Sequence, residues 1–476
     1  MAVTISSPQV LRRPALTIAL ATLCGLSVDL LAWARPHGPG LAIGLAAVVT
    51  TVWWHIRGLA DLQTATLLTG ATGFALVPVW RDSTTVVVLA ALSTIGLLAV
   101  AVARCGGTDL RRWTLGTYSL AATEPIIALA ETIGFLSHDA AFGHPAVRAG
   151  AKKVLPLTRG LVLLLLTGGF FALLFGSADP IFADVAARAF DLDLSVGRII
   201  RGLGVSAAIA WLVIGSSRRA AAKKTDSPPY SPKGRGLLEA RIMLTGINAL
   251  FAVFLVIQFR YLFAGVADDY STYARRGFFQ LVVVAAAVTA LILAMDWLVS
   301  RRDRVLDVLS AALVLQTFVV MASALVRMNA YTTAFGLSEL RLYTTVFMIW
   351  VGILLVALIT AVLRGDRNRF ALVAFLSGAA FIAGLVVANP DARIADVNID
   401  RGLAGSEVDV DYLASLSSDA IPVLVRRADE LDAPDLMSRL EAKLADEIST
   451  HGWRSWSFSD HSAARAITAD QPPGGS

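Results

Sequence analysis

LYTTVFMIWVGILLVALITAVL, residues 342–363, runs for 22 positions without a charged side chain. At about 1.5 Å of rise per residue, a helix of that length matches the roughly 30 Å hydrocarbon core of a bilayer. It reads as a membrane-crossing helix, and the rest of the chain follows the same pattern. The 476 residues are 56% hydrophobic and 16% charged, with a mean hydropathy of +0.66. That is too apolar for an ordinary water-soluble protein. Further candidate spans are 15–34, 40–56, 63–80, 84–103, 160–178, 199–216, 241–263, 277–299, 305–326 and 370–388. The expected fold is all-α: a polytopic membrane helix bundle of about eleven spans with a small soluble C-terminal domain.

The first run follows Arg12, Arg13 and Pro14 as a signal peptide would, but the short loop ARPHGPG leads straight into another span, so it reads as a retained helix. Cys24 and Cys105 lie far apart without ligand spacing. Neither a disulfide framework nor a metal site is expected from them, and His451 and His461 show no metal-binding pattern either. No phosphate-cradling GxxxxGK[ST] loop and no HExxH motif is present. The sequence therefore implies no cofactor and no metal, and favours a non-enzymatic role.

Lys and Arg accumulate in cytoplasmic loops, which orients the chain. SRRAAAKKTDSPPYSPKGRG, 217–236, carries six basic residues against one acid and is read as a cytoplasmic loop. It divides N-terminal membrane helices, 1–216, from C-terminal membrane helices, 237–388. Lipid headgroups and membrane orientation account for its charge, so no nucleic-acid partner is expected. YSLAATEPIIALAETIGFL, 118–136, is apolar but has basic flanks on both sides, contains Pro125, and places Glu124 and Glu131 seven positions apart. A re-entrant or interfacial segment suits it, a true crossing being the alternative. With eleven crossings the N-terminus is cytoplasmic and the tail extracytoplasmic.

The tail, 389–476, has 16 Asp or Glu against 8 Lys or Arg; its net charge is −8, and the rest of the chain carries +13. Within it, Leu436, Leu440 and Leu444 recur every four residues and predict an amphipathic helix. Four segments, YARRGFFQL (273–281), FGLSELRLY (335–343), NPDARIADVNIDRG (389–402) and DVDYLASLSSDAIPVL (409–424), together resemble an uncharacterised bacterial family of polytopic membrane proteins known only as a domain of unknown function. The resemblance covers roughly 240–425. It implies a shared membrane architecture, including the N-x-D-R segment at Asn398–Arg401, and supplies no reaction or ligand.

Several polar residues converge on the expected outer face. Arg260 closes one span; Asp268, Asp269, Tyr273, Arg275 and Arg276 precede the next; Arg327 follows a third; Glu339 and Arg341 open a fourth. Guanidinium groups match phosphate and carboxylate geometry, so these residues form a candidate outer anionic site for a lipid-linked phosphate or anionic lipid. The alternative is an interfacial belt of tyrosines and snorkelling arginines. Glu124, Glu131 and Gln316 form a second, intramembrane polar candidate. Three functions compete: a cell-envelope scaffold or accessory partner of another envelope protein; a transporter or flippase of an anionic or lipid-linked substrate; and an envelope transferase using a lipid-linked phosphate donor, with Asp268 or Asp269 as base.

Overall fold

The computed structural model describes residues 38–57, 60–104, 109–122, 237–263, 284–285, 287–292, 303–364, 368–431, 435–450 and 456–470. The described chain is helical: α1 Pro39–Ile56, α2 Leu62–Ala75, α3 Val77–Trp80, α4 Thr84–Arg104, a 3₁₀ turn Leu110–Arg112, α5 Leu115–Ala122, α6 Leu237–Phe263, α7 Arg304–Phe335, α8 Glu339–Arg364 and α9 Asn368–Ala388. Beyond the last of these come α10 Pro390–Leu403, α11 Val410–Ser415, α12 Ile421–Arg426, α13 Leu436–Thr450 and α14 Phe458–Asp470. Five stretches among the described residues are long and apolar enough to cross a membrane: Leu62–Trp80, α4, α7, α8 and Arg369–Ala388. Pro39–Trp54 and Ala240–Ala252 are shorter apolar helices. The spans at 15–34, 160–178 and 199–216, the loop 217–236, and most of 277–299 and of 118–136 lie outside the described residues.

Several helix ends have a local cause. Asp61 caps α2 by accepting from the Thr64 amide, and Asp303 caps α7 by accepting from Val305 and Leu306. Pro78 cannot donate a backbone hydrogen bond, and the helix breaks at Leu76 between α2 and α3. The span expected at 305–326 continues to Phe335 as a helix of 32 residues, because no breaker precedes Gly336. Arg327 and Asn329 are polar, which ends an apolar pattern without ending a helix.

Three cores organise the packing. Val52, Leu68, Ala90 and Val100 join α1, α2 and α4, with Val386 of α9 against them. Leu244, Leu313, Met348 and Leu355 join α6, α7 and α8, with Phe370 of α9 beside them. The helix α9 thus ties the front helices to the back ones. The third core lies beyond the membrane helices, where Ile394, Ile399, Leu413, Ile421, Leu424, Leu436, Leu440 and Ile467 pack together with Leu337. The amphipathic reading of α13 is borne out, since Leu436, Leu440 and Leu444 are all buried.

The two ends of the bundle differ. At one, Arg104 pairs with Asp61 and donates to Gln63 (2.9 Å), while Arg241 pairs with Asp303. Asp61 is held well below the usual carboxylate range, chiefly by its hydrogen bond from Arg104. At the other end lie the α3–α4 turn, the α7–α8 turn and the start of α10. We call this the tail end.

Candidate functional site

The tail end is built around the three-residue turn Arg81-Asp82-Ser83 between α3 and α4. Its partner is the Ser417-Ser418-Asp419 turn that precedes α12. The Asp419 carboxylate accepts from Arg81 Nη1 (3.1 Å) and from the backbone amides of Asp82 and Ser83 (both 2.9 Å). Those amides open α4, so a carboxylate from 336 residues away caps its N-terminus, where the helix dipole favours negative charge. Asp82 returns the arrangement by accepting from the Ser418 amide at 3.2 Å. Each turn thus supplies an acid to the other's amides.

Two further elements lock onto the same point. Arg81 Nε and Nη2 donate to the carbonyls of Val386 (2.8 Å) and Val387 (3.3 Å), among the last of α9, which have no partners within the helix. Asn389 then takes the left-handed conformation (φ 49°), accepts from the Ala392 amide to start α10, and donates to the Asp419 carbonyl at 3.1 Å. From α14, the Ser459 hydroxyl sits against the Asp419 carboxylate and 2.9 Å from the Trp80 carbonyl. Arg81 and Asp419 are nearly sealed from solvent, with side chains 9% and 1% exposed.

Asp391, 0% exposed, is the second residue of α10. One oxygen accepts from the Ser417 amide (3.3 Å) and from its hydroxyl; the other, Oδ1, is buried without a hydrogen-bond partner among the described residues. Burial pushes this carboxyl above its usual range; the Asp419 charge adds to the rise, and the Ser417 hydrogen bond opposes it.

A second focus is the α7–α8 turn, Gly336-Leu337-Ser338. Asn398 clasps Leu337, accepting from its amide (2.8 Å) and donating to its carbonyl (2.7 Å). Arg401 donates to the carbonyls of Thr333 (3.2 Å) and Ala334 (3.1 Å), and Arg341 to those of Phe335 (2.8 Å) and Gly336. Two guanidinium groups therefore cap the C-terminus of α7. Tyr412 accepts from the Glu339 amide at 2.9 Å, and Arg341 also lies over the Tyr331 ring, 4.2 Å from its centroid. A cleft of about 230 Å³ opens here, lined in part by Phe335, Ser338, Arg341, Arg401, Glu407 and Tyr412.

Of the residues expected at an outer anionic site, Glu339 and Arg341 lie at this end. Arg260 and Arg327 lie on α6 and α7, but their side chains are outside the described residues, as are Tyr273, Arg275 and Arg276 altogether. Glu124 and Glu131 are outside them too. Gln316, midway along α7, is half-buried, and its Oε1 has no hydrogen-bond partner among the described residues. No group of three or more His, Cys, Asp or Glu among the described residues is placed to hold a metal ion. Sequence reasoning missed Arg81, Asp82, Asp391 and Asp419. The available signal was two opposite charges in a three-residue loop between apolar helices, VPVWRDSTTVVV, since burying such a pair requires partners.

These features define an all-α polytopic membrane protein. The chain belongs to the family described as Domain of unknown function (DUF4153), whose sequence profile matches residues 68–427. The match begins well ahead of 240–425, where the resemblance was legible, and it takes in both Arg81 and Asp419. No curated protein and no solved structure is similar to the chain.

Proposed function

We propose that this protein is a non-enzymatic cell-envelope scaffold, whose C-terminal helices form a fixed platform on the outer end of an eleven-span bundle. The observation that carries this reading is the Arg81–Asp419 junction, which ties α3, α4, α9, the turn before α12 and α14 to one buried point. A lid that opened for transport or catalysis would have to break that junction and expose a buried ion pair. The orientation, with the platform extracytoplasmic and the N-terminus cytoplasmic, is supported by Arg104, Arg111, Arg241, Arg304 and Arg364 at the opposite end. Domain limits of 1–216, 217–236, 237–388 and 389–476 go with it.

A transporter or flippase is the second reading, favoured by the buried Oε1 of Gln316 within a span, which has no partner among the described residues. Photo-crosslinking separates the two. A crosslinking amino acid at the exposed Ala442 or Ala445 of α13 should yield one discrete adduct with an envelope protein in intact cells. Absence of any adduct, together with substrate-dependent accessibility changes around Gln316, would favour transport over scaffolding.

A further inference from the structure

The cleft at the α7–α8 turn has a lining whose charges nearly cancel. Arg341 and Arg401 both converge on Gly336: Arg341 donates to its carbonyl, and Arg401 Nη1 lies 2.7 Å from where a Cβ on Gly336 would sit. Glu407 and Asp409 line the same cleft, Asp409 with one oxygen already accepting from the Tyr412 amide, and Tyr412 and Ser338 contribute hydroxyl groups. Each arginine has already given hydrogen bonds to carbonyls at the negative end of α7, which further reduces the net positive potential. A simple dianion would meet two carboxylates and a helix C-terminus here, and a simple cation would meet two guanidinium groups. The chemistry that satisfies all four charges is a phosphate joined to an ammonium through a short linker.

The depth of the cleft identifies where such a group comes from. Tyr343 of α8 lies beside the α3–α4 turn, its hydroxyl 3.5 Å from Ser83 Oγ, at the level where α4 begins and α9 ends. Glu339 is four residues further out along α8, about 6 Å at helical rise. A headgroup layer adds roughly 5–8 Å to each side of the hydrocarbon core, so the cleft lies within that layer. Its apolar edge is Phe335, exposed at the end of a membrane-crossing helix. With a volume of about 230 Å³ it suits a headgroup and falls short of the roughly 300 Å³ where drug-sized pockets begin.

We propose that this cleft binds the headgroup of a zwitterionic aminophospholipid, with the phosphodiester against Arg341 and Arg401 and the ammonium against Glu407 and Asp409. The site needs only the membrane level of the tail end, so it stands or falls apart from the scaffold reading.

The test uses the purified full chain in a lipid-free detergent. Binding of short-chain phosphatidylethanolamine, short-chain phosphatidylglycerol and soluble glycerophosphoethanolamine is measured by native mass spectrometry. Phosphatidylethanolamine should bind about tenfold more tightly than phosphatidylglycerol, the scale of one charge-assisted contact. Glu407→Gln, at an exposed position, should abolish that preference while leaving the melting temperature unchanged. Arg341→Gln should weaken both lipids, with melting followed in parallel because Arg341 also caps α7. Equal binding of the two lipids by the wild type, or a preference that survives Glu407→Gln, would overturn the assignment. If soluble glycerophosphoethanolamine binds as tightly as the lipid, the lipid origin of the ligand is overturned.

Discussion

Arg81 is a cation placed where the bundle meets the tail, and the energetics of that position are asymmetric. A buried ion pair gains little over a well-packed apolar pair, yet removing one partner strands the other charge, at a cost of about 3–5 kcal/mol. Asp419→Asn should therefore lower stability by about 3 kcal/mol, measured as resistance of the tail to denaturant and protease in detergent. The joint change Arg81→Met with Asp419→Leu should recover only part of that loss, because the Asp82 and Ser83 amides and the Val386 and Val387 carbonyls lose their partners; full recovery would mean that the ion pair alone carries the energy. Asp391 behaves in the opposite sense. Its raised carboxyl leaves the folded chain with the extra proton between the ordinary value, near 3.8, and the raised one. Stability contributed by this group is thus present at low pH, falls as pH rises through that window, and is fully lost above it. Asp391→Asn should melt above the wild type at neutral pH, with the difference shrinking towards about pH 4. A constant offset across the range would show that the carboxyl titrates normally.

At the scale of elements, the recurring device is a helix C-terminus closed by an arginine from elsewhere. Arg81 closes α9, and Arg341 with Arg401 closes α7. This explains why FGLSEL and N-x-D-R belong together: the first is a helix end and the second is its cap. Gly336 is required at their meeting point. Its φ of +80° is unfavourable for any side chain, and a Cβ there would lie 2.6 Å from Asn398 Oδ1 and 2.7 Å from Arg401 Nη1. Gly336→Ala should cost about 1–3 kcal/mol through backbone strain alone and loosen the Asn398 clasp. Circular dichroism melts in detergent measure this. Gly96→Ala in α4, where nothing lies within 4 Å, should be neutral or slightly stabilising. Similar losses at the two sites would argue against a special role for the turn.

At the scale of the whole molecule, apolar patterning revealed four of the five described spans to within a few residues, because length and hydropathy alone decide whether a helix fits a bilayer; α7 runs nine residues past its apolar pattern. It could not reveal the junction. Arg81 and Asp419 are 338 positions apart, and no period or local spacing encodes such a pair. The acidic composition of the tail likewise pointed to water, while its fold points part of it at the membrane. Ser459 lies 2.9 Å from the carbonyl of Trp80, at the end of the α2–α3 span, so the start of α14 is level with the end of that span. There Trp456 (44% exposed) and Phe458 (53% exposed) are exposed, as are Trp80 and Val387. Aromatic rings of this kind are stabilised at the headgroup boundary. An environment-sensitive fluorophore on Phe458→Cys, in a chain lacking Cys24 and Cys105 and reconstituted in nanodiscs, should be quenched by headgroup-labelled lipid more strongly than by aqueous iodide. Trp456→Ser with Phe458→Ser should lower the melting temperature in nanodiscs more than in a short-chain detergent. Strong iodide quenching with no lipid quenching would place α14 in water.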